Sequence, residues 1–129
     1  MPDPYQWTVV RVVPRPELGE CFNAGVVLWC RTRRFLRAAT HLDERKLEAI
    51  APGADPAPLR ALLDAYERLA AGDPAAGAVA ALEPSERFSW LAAPASTVLQ
   101  CSPVHTGITA DPEAELHALT RRYVNPPPA

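Results

Sequence analysis

Residues Cys21–Cys30 read C-F-N-A-G-V-V-L-W-C. Nearly every position is apolar, which is the pattern of a central strand covered on both faces. Gly25 inside the run marks a bulge or a close approach of another backbone. Arg31–Arg34 break the run, and F-L-R-A-A-T over Phe35–Thr40 returns as a second strand. On the other side, Glu17–Glu20 with Gly19 reads as a turn. Before it, Tyr5–Val13 alternates Tyr5, Trp7 and Val9 against Gln6, Thr8 and Val10, rich in β-branched and aromatic residues. Pro14-Arg15-Pro16 ends that strand, because proline cannot donate to a ladder. Three successive strands with short links predict an antiparallel meander.

Further along, the periodicity changes. Asp43–Ala51 reads as a short helix stopped by Pro52-Gly53. Asp55-Pro56 pairs an N-cap carboxylate with a proline at the first helical position. Leu59, Leu62, Leu63, Tyr66, Leu69 and Ala70 then lie on one helical face as far as Gly72. Asp73-Pro74 repeats the start signal before an Ala-rich stretch to Leu82 that reads as a weak helix or an ordered loop. Arg87–Ala93 alternates Phe88, Trp90 and Ala92 against Arg87, Ser89 and Leu91, and is expected as a fourth strand. Pro94-Ala95-Ser96 is expected to turn, Thr97–Val104 to form a fifth strand, and His105-Thr106-Gly107 a polar loop. Asp111-Pro112 opens a last helix to about Val124. Strands grouped together and helices grouped together predict one α+β domain over residues 1–129. Its mostly antiparallel sheet would have about five strands, with three or four helices on one face and loose ends at 2–4 and 125–129.

Composition bounds the rest. Of the 129 residues 48% are hydrophobic and the net charge is −2, so the chain lacks the low hydrophobicity and high charge of disorder despite fifteen prolines. With 13 basic against 15 acidic residues, nucleic acid is not the expected partner, since phosphate binding rests on a basic surface. No stretch approaches the apolar length of a membrane span. Met1-Pro2-Asp3-Pro4 carries neither a basic region nor an apolar core, so a cytoplasmic location is expected. Cys21, Cys30 and Cys101 read as reduced, mostly buried thiols.

Two stretches are similar to a family known as domain of unknown function 3037. R-V-V-P-R-P-E-L-G-E-C-F-N-A-G-V-V-L over Arg11–Leu28 resembles its Arg-x-x-Pro and Gly-Glu-x-x-Asn-x-Gly-Val-Val-Leu opening. E-R-F-S-W-L-A-A-P-A-S-T-V-L-Q-C-S-P-V-H-T-G over Glu86–Gly107 is similar to its Arg-Phe and Ser-Pro-Val-His-Thr-Gly block. The resemblance assigns no catalytic residue. It directs attention to Glu20, Asn23, Arg87, Ser102, His105 and Thr106, and implies an accessory role beside a kinase resembling the HipA toxin.

Each candidate has a functional and a structural reading. Glu20 and Asn23 flank the most apolar strand, where they would bind a ligand or satisfy turn backbone; Glu20 would also pair with Arg87. Ser102, His105 and Thr106 lie close together, and a serine near an imidazole suggests nucleophile and base. No Gly-x-Ser-x-Gly elbow and no orienting Asp accompanies them, so a loop held by hydroxyl-to-backbone bonds is the competing reading. If a catalytic site exists, His105, Ser102 and Glu20 are its candidates, His105 first as acid/base. Such an enzyme or ligand-sensing site would lie between the Glu20–Asn23 turn and the Ser102–Thr106 loop.

Arg31, Arg33, Arg34 and Arg37 form the densest basic cluster, suited to phosphate or an acidic partner surface, or to a solvated turn. His41, His105 and His117 stand in separate elements and no close Cys pair exists, so neither a metal nor a cofactor is expected. No phosphate loop or kinase signature is present. Trp7, Trp29 and Trp90 are expected on strands; one left exposed would mark a contact surface.

Overall fold

The computed structural model describes residues 1–95 and 97–125; Ser96 of the expected turn and positions 126–129 of the expected tail lie outside the described residues. Five strands, β1 (Asp3–Val12), β2 (Phe22–Cys30), β3 (Phe35–Thr40), β4 (Leu99–Cys101) and β5 (His105–Thr109), build one antiparallel sheet. Four α-helices accompany it: α1 (Glu44–Ile50), α2 (Pro56–Ala71), α3 (Pro84–Ala92) and α4 (Pro112–Tyr123). The α+β class and the opening meander stand as read.

The sheet runs β3-β2-β1-β4, with β5 also on β1. β4 pairs with Val10–Val12 and β5 with Asp3–Trp7, so the two lie end to end along one edge of β1. The sum of paired numbers rises by one between Val10↔Cys101 and Trp7↔His105, which inserts one extra residue around Pro103. The pair is in effect one edge strand with a bulge, placed where proline is tolerated.

Gly25 meets both expectations for it. The β1–β2 register jumps from Val10↔Gly25 to Arg11↔Asn23, leaving Ala24 as the extra residue. A Cβ on Gly25 would lie 3.0 Å from the Ala39 carbonyl oxygen and 3.0 Å from Thr40 Cγ2. The bulge also reverses which face each residue meets. Phe22, Ala24, Val27 and Trp29 join the core under α1, α2 and α3, whereas Val26, Leu28 and Cys30 pack with Leu116 and Leu119 of α4. A strand covered on both faces must be apolar throughout, as β2 is. The helices therefore do not all share one face: α1–α3 cover one side and α4 the other.

The Asp-Pro signals act as read. Asp55 caps α2 through Ala57 N, and Asp111 caps α4 through Ala114 N. Asp73 caps a 3-10 turn at Pro74–Ala76, followed by another at Ala78–Ala81, so this stretch is an ordered connection.

Four readings are corrected. Arg87–Ala93 is not a strand: Pro84–Ala92 is helical, with Phe88 and Leu91 buried one turn apart. His105-Thr106-Gly107 is not a loop but the start of β5, and Thr97–Val104 contributes only Leu99–Cys101 as strand. Asp3 and Pro4 are not loose but open β1, where Asp3 pairs with Thr109.

Candidate functional site

The bulge between β4 and β5 brings Ser102 onto the core of the sheet. Its N–H donates to the Val9 carbonyl at 2.8 Å, as a regular ladder residue would. Its own carbonyl is turned away and accepts from Thr8 Oγ1 at 2.6 Å. The Val9 N–H, which a regular partner's carbonyl would receive, instead donates to Ser102 Oγ at 2.9 Å. Thr8 Oγ1 lies 3.1 Å from the same Oγ, which itself donates to the Pro103 carbonyl at 3.0 Å. Ser102 and Thr8 are both buried. The hydroxyl thus repairs a ladder that the extra residue interrupts.

The other residues of that block separate. His105 pairs with Trp7 and stacks on it at 4.8 Å between centroids, on the α4 side of the sheet. Thr106, one residue on, points to the opposite side, because side chains alternate along a strand. Asn23 lies on the α4 side, donating from Nδ2 to the Tyr123 carbonyl at 3.0 Å and so holding the last turn of α4. Glu20 is exposed in the turn before β2. Arg87, carried on α3, donates to the Leu82 carbonyl at 2.7 Å and the Ala70 carbonyl at 3.4 Å, tying the end of α2 to the 3-10 segment. Among the described residues Glu20 and Arg87 form no ion pair. Val104 and Thr106 line two cavities on the sheet that no residue of the Glu20–Asn23 turn lines.

The arginine cluster also divides. Arg33 Nε donates to Asp3 at 2.7 Å, holding the Asp3 carboxyl below its usual range, and Arg33 also reaches the Met1 carbonyl. Arg34, with φ 48°, sits 3.6 Å from Glu83, and Arg37 lies 5.7 Å from the Phe35 ring centre. Arg31 is exposed and, among the described residues, has no acidic partner.

Two adjoining cavities of about 320 and 300 Å³ meet at Gln6, Trp29 and Arg31. The first runs under α3 past Ser85, Ser89 and Val104; the second crosses β1 from Thr32 in the β2–β3 turn to Thr106 on β5. Together they form a groove on the α3 side, floored by Trp29 and Phe88 and open toward β5. Two sequence candidates from different blocks, Arg31 and Thr106, therefore share one groove. Gln6, Ser85 and Ser89 carry no sequence signal as lining, and Ser89 sits on the stretch whose alternation reads as strand. Val104 lines this groove and is 41% exposed; Ile108, paired across the strands with the lining residue Pro4, is 70% exposed. Trp90 on α3 is 51% exposed, so it is the tryptophan left at the surface.

The cysteines divide as well. Cys30 is buried, but Cys21 is exposed, a correction to the expectation for that residue. Cys101 donates to the Leu91 carbonyl at 3.3 Å, and burial pushes its thiol up to about 11. Among the described residues no group of three His, Cys, Asp or Glu side chains gathers to hold a metal ion, and no helix is long and apolar enough to cross a membrane.

A family model described as Protein of unknown function (DUF3037) matches residues 7–124. No curated protein and no solved structure matches the chain.

Proposed function

Because the chain belongs to the DUF3037 family, we propose from that premise that it is a cytoplasmic accessory module that binds a protein partner. The binding surface is the groove between α3 and the sheet, together with the adjoining edge of β5. The observation that carries this reading is the grouping of exposed Val104 and Ile108, an edge strand paired on one side only, and Arg31 on one surface. An unblunted strand edge next to exposed apolar side chains is a natural contact for another chain. Within 105–109 no Lys, Arg, Asp, Glu or Pro guards that edge.

Three of the polar candidates are engaged in holding the fold: Ser102 in the ladder, Asn23 at the end of α4, Arg87 between α2 and the 3-10 segment. The partner class is the one the family resemblance implies, a kinase resembling the HipA toxin. Co-expression with such a kinase, followed by affinity capture and gel filtration, tests the proposal. A co-eluting complex that Ile108→Lys dissociates is expected; two species that never associate would overturn it.

A further inference from the structure

We infer that the groove receives an extended segment of the partner that carries an Asp or Glu side chain, whose carboxylate pairs with the Arg31 guanidinium. This inference rests on the reading of the chain as a protein-binding module and names the chemistry of what it binds.

Among the described residues, no Asp or Glu lines either half of the groove. Two acids near the arginine cluster are already paired, Asp3 with Arg33 and Glu83 with Arg34. Among the described residues that line the groove, Arg31 is the one cation, over a floor of Trp29 and Phe88 and flanked by the side chains of Gln6, Thr32 and Thr106. These groups offer an amide and hydroxyls that donate to or accept from a peptide backbone, and a guanidinium fork that matches a carboxylate with two parallel bonds. The apolar floor and the exposed Val104 and Ile108 supply contacts for neighbouring uncharged side chains.

A nucleic-acid strand fits these observations less well. It requires a row of cations along its phosphates. Here three of the four clustered arginines are held by Asp3, Glu83 and Phe35, and the whole chain carries a net charge of −2.

Selection of random twelve-residue peptides displayed on phage against the immobilised full chain tests the inference. The expected winners are enriched in Asp and Glu, and synthetic copies bind the wild-type protein roughly tenfold or more tightly than Arg31→Gln, the usual scale for a charge-assisted pair. Arg31→Glu should abolish their binding, while both variants keep the wild-type thermal midpoint because the side chain is exposed. Peptides without acidic enrichment, no selected peptide at all, or affinity indifferent to Arg31→Gln would overturn the inference. Binding of a single-stranded oligonucleotide that Arg31→Gln abolishes would also overturn it. Because the selection uses no kinase, its outcome is independent of whether a HipA-like partner associates.

Discussion

Replacing Ser102 with alanine removes one oxygen from the centre of the sheet and leaves the backbone free to stay where it is. The Val9 N–H then loses the acceptor at 2.9 Å, while the Ser102 N–H still reaches the Val9 carbonyl and Thr8 Oγ1 still reaches the Ser102 carbonyl. The Pro103 carbonyl also loses its donor but belongs to an exposed residue that water can serve, so the uncompensated loss is one buried backbone donor, since Val9 is 3% and Ser102 3% exposed. An orphaned donor of this kind costs about 1–3 kcal/mol. At about 2 kcal/mol, the thermal midpoint of a domain this size falls by roughly 6–12 °C. Urea unfolding followed by tryptophan fluorescence should show a lower midpoint with an unchanged slope, because the surface exposed on unfolding is the same. Thr8→Val removes the other donor in the cluster, and the double variant should lose less than the sum of the two single losses. A loss below about 0.5 kcal/mol, the range of ordinary surface substitutions, would refute the assignment of Ser102 to the ladder.

Four other outcomes are expected. Gly107→Ala places a Cβ 2.6 Å from Tyr5 Cζ and Oη, so the buried ring must shift; a loss of about 1–3 kcal/mol is expected, smaller in a Tyr5→Leu background, measured by urea unfolding. Asn23→Ala removes the donor to the Tyr123 carbonyl and should speed amide exchange in the last turn of α4 while leaving α2 unchanged. In the folded protein a thiol reagent should label Cys21 quickly, with Cys30 and Cys101 reacting only on unfolding. Burial raises the Cys101 thiol from 9.0 to about 11, so between those values the folded state holds more protons than the unfolded one. Stability is then fully present below pH 9 and declines as pH rises toward 11. Tyr5 and Tyr66, also raised chiefly by burial, act in the same direction in the alkaline range. Urea midpoints of wild type and Cys101→Ala, compared at pH 8 and above pH 10, check the sign.

The elements that failed to read correctly did so for identifiable reasons. Arg87–Ala93 satisfies both a two-residue alternation and a helical spacing, because Phe88 and Leu91 are three apart while Phe88, Trp90 and Ala92 alternate. Burial decides between them: Trp90 is exposed where a core strand would hide it, and Pro84 supplies the helix start that the alternation obscures. β5 reads as loop because an edge strand with a wet face needs no apolar pattern; its conformation comes from pairing with Asp3–Trp7, about a hundred residues away. By contrast β2, α2 and α4 carry their own signals, in a continuous apolar run and in Asp-Pro caps. The groove was half legible. Arg31 and Thr106 attract notice as residue types, but their proximity depends on strand order, which local sequence does not encode.

The end-to-end seating of β4 and β5 on β1 has a consequence for the order in which the protein is assembled. Of the described strands β1 is made first, yet it lies in the interior of the sheet, and its second neighbour among them is made last. During synthesis the β1–β2–β3 meander can zip locally, but the flank of β1 that ends beside Cys101 and His105 stays unsatisfied until most of the chain has emerged. Contacts spanning that separation make barrier crossing slow. The half-built sheet is therefore the species most exposed to pairing with another nascent chain, and delivery of residues 99–109 is the step that ends its vulnerability.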